Sequence, residues 1–181
     1  TAYRSRGFGA DYTDNLFGCY FNLRKISRHQ LVPDGATFKT VDTDFITSDS
    51  PDYHPTDVLE DADGSLLVID TGGWYKICCP TSQLAKPDVL GGIYRIRKTG
   101  APKVDDPRGL KLPWSTLAPT GLAKLLADPR PYVTDRAVHL LGQRGESALG
   151  PIKDPGLKAP SPVARRNAVW ALARIDGQAA R

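Results

Sequence analysis

His54-Pro-Thr-Asp-Val-Leu-Glu-Asp-Ala-Asp-Gly-Ser-Leu-Leu-Val-Ile-Asp70, followed later by Gly92-Ile-Tyr-Arg-Ile96, is the stretch on which the fold turns. Asp61-Ala62-Asp63-Gly64 at its centre signals a hairpin, because glycine accepts the positive φ that such a turn imposes. Pro55 to Leu59 reads as a short strand. Ser65 to Asp70 is nearly continuous in apolar residues, as suits a strand buried on both faces. Gly92 to Arg97 alternates, with Ile93 and Arg95 on one face and Tyr94 and Ile96 on the other. The insertion between these last two strands, Thr71 to Gly91, is long enough to suggest a ligand-facing loop. The Asp-x-Asp-Gly of the hairpin has some likeness to a calcium loop. It lacks the further oxygen donors and the bidentate Glu that such a loop needs, so a plain turn is expected.

Outward from this stretch, Leu23 to Val32 mixes polar and apolar residues, and Pro33-Asp34-Gly35 reads as the turn after it. Thr37 to Thr47 alternates as a strand. Near residue 100 the composition changes from Thr, Val, Ile and aromatic residues to Leu, Ala and Arg at helical spacing. Residues 99–116 between the two regimes are rich in Gly and Pro and read as a linker. Beyond them Leu126, Pro129, Pro131, Ala137, Val138 and Leu141 recur as Leu157, Pro160, Pro162, Ala168, Val169 and Leu172, each pair 31 residues apart. A fixed period of this size signals a helical solenoid. Each Pro-x-Pro ends one helix and opens the next, since proline fits a first turn but not a helix interior. Gly150, Pro151, Pro155 and Gly156 predict a short or distorted helix before the second one.

Composition excludes several classes. Hydrophobic residues make up 40% of 181, enough for a core, and no run approaches the ~20 residues of a membrane span. The net charge of +4 is spread among both signs without a basic patch, so no nucleic-acid partner is expected. There is no dinucleotide fingerprint, phosphate-binding loop, nucleophile elbow or His-Glu-x-x-His motif. Methionine is absent. Thr1 is therefore expected to arise by processing or truncation, and the chain to be an excerpt from a longer polypeptide.

The Pro-x-Asp-Val, Asp-Gly and Gly-x-Ile-Tyr-Arg-Ile elements of residues 54–96 resemble a blade of the six-bladed β-propellers of sorbosone- and glucose-dehydrogenase-like proteins, which use pyrroloquinoline quinone (PQQ). Propeller strands followed by a helical repeat more closely resemble bacterial extracytoplasmic "membrane-bound dehydrogenase" proteins. There the propeller precedes HEAT-like repeats and often a c-type haem module. The resemblance implies a multidomain β-then-α chain: partial propeller over 1–98, linker over 99–116, HEAT-like α-solenoid over 117–181. A blade takes about 40–45 residues, so this chain holds about two. The remaining blades would be supplied by the same parent or another chain, and a c-type cytochrome domain would lie elsewhere, since no Cys-x-x-Cys-His occurs here. The implied location is periplasmic or secreted.

Two functions follow as expectations. One is a binding or scaffold platform within an oxidoreductase parent, with a protein partner on the helical surface. The alternative is a PQQ-dependent sugar or alcohol dehydrogenase, with calcium, acting at the mouth of the propeller channel. For the second, His54 and Asp57 would be catalytic, His54 as a general base. Trp74 and Tyr75 would stack on a sugar or quinone ring and Arg95 would complete the cofactor set. Each has a plainer alternative: His54 hydrogen-bonded at a strand start, Asp57 bonding backbone, Trp74 and Tyr75 packing the loop. Cys78 and Cys79 could form a vicinal disulfide, pair with Cys19, bind metal or stay as buried thiols. Arg136, Arg144, Arg165, Arg166 and Arg174 form either a basic face for an acidic partner or the solvated side of the helices.

Overall fold

A computed structural model describes residues 1–76, 83–86 and 88–175. It divides into two units, Thr1–Lys103 and Val104–Arg181. The boundary lies inside the expected linker. Residues 99–103 go with the strands, and 104–116 go with the helices.

Among the described residues of the first unit, β1 (Ala2–Tyr3), β2 (Asn15–Tyr20), β3 (Lys25–Asp34) and β4 (Thr37–Thr47) form an antiparallel meander in sequence order. β5 (Pro55–Glu60), β6 (Leu66–Asp70) and the later β9 (Gly92–Ile96) form a second antiparallel sheet. β7 (Trp74–Lys76) pairs with β8 (Gln83–Ala85) inside the insertion. The β3–β4 turn falls later than the sequence suggests. Asp34 pairs with Thr37, so Gly35 and Ala36 make the loop, Gly35 with φ of 63°. Pro33 stays in β3, opposite Phe38. It is tolerated because β2 pairs with β3 only as far as His29, leaving no third strand to ask for its missing N–H. Residues 30–41 therefore form a two-stranded ribbon beyond the rest of the sheet.

The core between the sheets gathers Tyr3, Phe8, Phe17, Ile26, Val58, Leu66 and Val68. Its aromatic rings meet mostly edge to face, Phe17 and Phe45 with centroids 4.9 Å apart. The Tyr3 hydroxyl donates to the Gly64 carbonyl (2.7 Å) and accepts from the Phe8 amide (3.1 Å). Glu60 accepts from the amides of Ser5 (2.6 Å) and Arg4 (3.0 Å). The N-terminal segment thus clamps the Asp-Gly hairpin. The expected burial of Ser65–Asp70 on both faces is not met. Leu66, Val68 and Asp70 are buried, but Leu67 and Ile69 are half-buried. They face outward with Leu59 and Ile93, where no described layer of the unit covers them.

The second unit holds α1 (Pro119–Lys124), α2 (Pro131–Arg144), the one-turn α3 (Leu149–Pro151) and α4 (Pro162–Leu172). α2 and α4 both begin at the second proline of a Pro-x-Pro, as the period requires. The Ser161 hydroxyl caps α4 by accepting from the Ala164 amide. The interrupted stretch between them passes from a 3₁₀ turn through α3 into a π turn at Ile152–Gly156. Val133, Ala137, Leu141, Ala168 and Ala171 meet in the core with Leu122, Leu126 and Ile152. Trp114 joins them, its indole N–H donating to the Gly109 carbonyl (2.6 Å) and its ring lying 4.5 Å below the Arg136 guanidinium.

Candidate functional site

The insertion leaves β6 and enters β9 across a closing pair, Asp70 opposite Gly92. Its two ends touch. Gly72 has φ of 63°, and a Cβ there would lie 2.6 Å from the Gly91 amide nitrogen. Only glycine permits this approach.

His54 sits against this pinch, just before β5. Its backbone N–H donates to Asp70 Oδ1 (2.9 Å), which also accepts from the Gly72 amide (2.9 Å). Its Nδ1 lies 2.8 Å from the Gly72 carbonyl and 3.0 Å from the Asp52 carbonyl. Both partners are acceptors, so Nδ1 carries the proton. The ring lies tilted by 31° against Phe21, centroids 4.5 Å apart, and the residue is 7% exposed. His54 therefore straps the base of the insertion to the start of β5. Burial pushes the neighbouring Tyr53 phenol up to about 12, with the Asp70 carboxylate adding to it. Trp74 and Tyr75 follow the pinch on β7, so their backbone starts from the same end of the sheet as His54.

Of the other expected site residues, Asp57 lies near this end, opposite Ile69, without joining the strap, and Arg95 lies toward the other end. Asp57 is exposed, and its Oδ1 accepts from the next amide, Val58 (2.8 Å). Arg95 is paired with Leu67, toward the hairpin end of the sheet, where it donates to Asp61 Oδ2 (2.7 Å) and Ser65 Oγ (2.6 Å). Asp63 accepts from Arg97 (2.9 Å) and the Ser65 amide (3.0 Å). The Asp61 and Asp63 carboxylates are engaged as turn acceptors, and among the described residues no three His, Cys, Asp or Glu side chains gather into a metal-binding set. They do not fit a calcium cage. Cys78 and Cys79 lie outside the described residues. Cys19 is a free, half-buried thiol, pushed up by burial and by the nearby Asp57 carboxylate.

A polar row on the outward face of the first sheet escapes sequence reasoning. His29 Nδ1 meets Asp42 Oδ1 at 2.8 Å, and its Nε2 lies 3.4 Å from the Tyr20 hydroxyl. Lys25 pairs with Asp44 at 2.7 Å beside it. Gly18 lies beneath: a Cβ there would come 3.3 Å from His29 Nε2. Placing the β3–β4 loop at Gly35-Ala36 would have set His29 opposite Asp42. A loop at Pro33–Gly35 cannot. The row is a set of cross-strand pairs on a solvent face, which stabilises the sheet rather than enclosing a substrate.

Comparison with protein families, curated proteins and solved structures finds no match for this chain.

Proposed function

We infer that this chain serves as a binding platform: blade-like sheets of an extracytoplasmic propeller joined to a short HEAT-like helical stack, within an oxidoreductase parent. The observation that carries this is the outward face of the β5–β6–β9 sheet. Leu59, Leu67, Ile69 and Ile93 lie across its three strands, Ile93 71% exposed, with Asp57 and Arg95 as the charged positions of the same face. The sheet's other face buries Val58, Leu66 and Val68 against a neighbouring sheet. A row of apolar side chains on a strand face calls for a second covering layer, and the next blade of the parent is the layer proposed. The dehydrogenase alternative needs a base open to substrate and a cradle for its cofactor. His54 is instead buried and holds the Gly72 carbonyl, which supports the platform.

The test uses the parent protein. With PQQ and calcium added, dye reduction with aldoses should be absent or unaffected by His54→Gln. Ile93→Glu should lower the yield of assembled, folded parent. Quinone-dependent turnover abolished by His54→Gln would favour the enzyme, and an Ile93→Glu parent that assembles normally would overturn the platform.

A further inference from the structure

The period of the helical unit makes one helix a template for the other. Shifting α2 by 31 residues places Thr134, Val138, Leu141 and Gly142 on Arg165, Val169, Leu172 and Ala173. On α2 this side is closed. Thr134, Val138 and Leu141 are buried, and a Cβ on Gly142 would lie 2.8 Å from Arg174 Cβ, just past the end of α4. On α4 the same side is open among the described residues. Val169 is 55% exposed where Val138 is 7%, and Trp170 beside it is 59% exposed. The matching position carries Ala173, which is small and exposed, so a helix can seat there, although its methyl holds a neighbour farther off than the Gly142 contact allows.

Charge selects the occupant. α4 carries Arg165 and Arg166 and no acidic residue. Arg165 donates to the Ala159 and Pro160 carbonyls (2.7 and 2.9 Å), which holds its charge beside the open side. Arg166 is exposed and makes no ion pair among the described residues. Its counterpart on α2 is Asp135, so the sign reverses from one helix to the next. A second copy docked through the same side would set arginine against arginine, an arrangement that costs affinity. The apolar part, Val163, Val169 and Trp170, is broken by Arg166 and is too small to embed in a bilayer.

We propose that the open side of α4 is the docking site for an acidic amphipathic helix of a partner protein, seated on Val169 and Ala173 with Arg165 and Arg166 facing its carboxylates. The partner's apolar residues, three and four positions apart, rest on Val169 and Leu172, and Trp170 closes the rim. The proposal names the partner of the platform's helical face and rests on that reading. It needs only the helical unit, so its failure leaves the test on the sheets undisturbed.

The experiment uses the full chain and a fluorescent synthetic helix with leucine every third or fourth position flanked by glutamate. The control peptide has lysine for each glutamate. Binding is read by anisotropy, with phosphatidylserine vesicles and sedimentation of the chain alone run in parallel. The glutamate peptide should bind at least ~10-fold more tightly than the lysine peptide, a gap of about 1.4 kcal/mol. Arg166→Glu should reverse that preference, and Val169→Glu should abolish binding of the glutamate peptide. Both positions are exposed, and circular dichroism checks that the variants keep their helices. Equal binding of the two peptides, no binding of either, or a preference unmoved by Arg166→Glu would overturn the proposal. So would vesicle binding without peptide binding, or self-association lost in Val169→Glu.

Discussion

Asp70 carries more of the architecture than its single charge suggests. One carboxylate oxygen satisfies the amides of His54 and Gly72, joining the start of β5 to the base of the insertion. Asp70→Ala leaves both N–H groups without that acceptor and should cost about 2–4 kcal/mol. Asp70→Asn keeps an acceptor and should cost less. Urea midpoints order the variants, and faster exchange of the His54 and Gly72 amides locates the loss. Asp63 offers a pH test. Partial burial raises its carboxyl, but the Ser65 hydroxyl and amide and the Arg97 guanidinium outweigh that and leave it at about 2. The unfolded value is about 3.9, so the folded value is depressed. The stabilisation is therefore complete above about pH 4 and is lost as pH falls toward about 2. A carboxyl NMR titration should place the midpoint near 2 and, in Arg97→Gln, nearer the ordinary value. Asp63→Asn should flatten acid unfolding over that window.

At the level of elements, legibility followed the strength of the local signal. Thr37–Thr47 alternates to Thr43, runs on into Phe45-Ile46, and is a strand to its last residue, β4. The Asp-Gly hairpin and the two prolines that open α2 and α4 were equally plain, because backbone geometry there admits few residue types. β1 and β2 were not foreseen: the first has two residues and the second, Asn15-Leu-Phe-Gly-Cys-Tyr, is interrupted by Gly18. Their pairing comes from Tyr3 and Phe17 entering a shared core, a tertiary cause that local pattern does not carry. The same holds for the site. His54 was visible at a strand start, whereas its tautomer depends on a carbonyl eighteen residues away. Within the helices, Ala168 is fully buried, and a Cβ on Gly156 would already lie 3.0 Å from its methyl. Ala168→Leu should destabilise by about 1–3 kcal/mol through overpacking. Val169→Leu next to it, on the open side, should stay within about 0.5 kcal/mol, as thermal melts of the pair can check.

At the level of the whole molecule, the boundary between Lys103 and Val104 separates two cores, one gathered around Tyr3 and Ile26, the other around Trp114 and Leu141. Two cores predict two transitions in calorimetry. Trp114→Ala, which removes a ring packed in the second core and its bond to Gly109, should lower only one of them, by about 3–5 kcal/mol of stability for that unit. A single transition that moves as a whole would mean that the units unfold together. The Gly72–Gly91 pinch has its own consequence. Because the chain leaves and re-enters the sheet through one closed gate, what lies between is invisible to the strand register. Residues 75–84 form a natural graft point: a foreign peptide or an affinity tag could replace them while Lys86 and Val89, whose backbone bonds to Gly73 close the gate, stay in place, and loops of other lengths could be exchanged there as freely as attachments on a common mount.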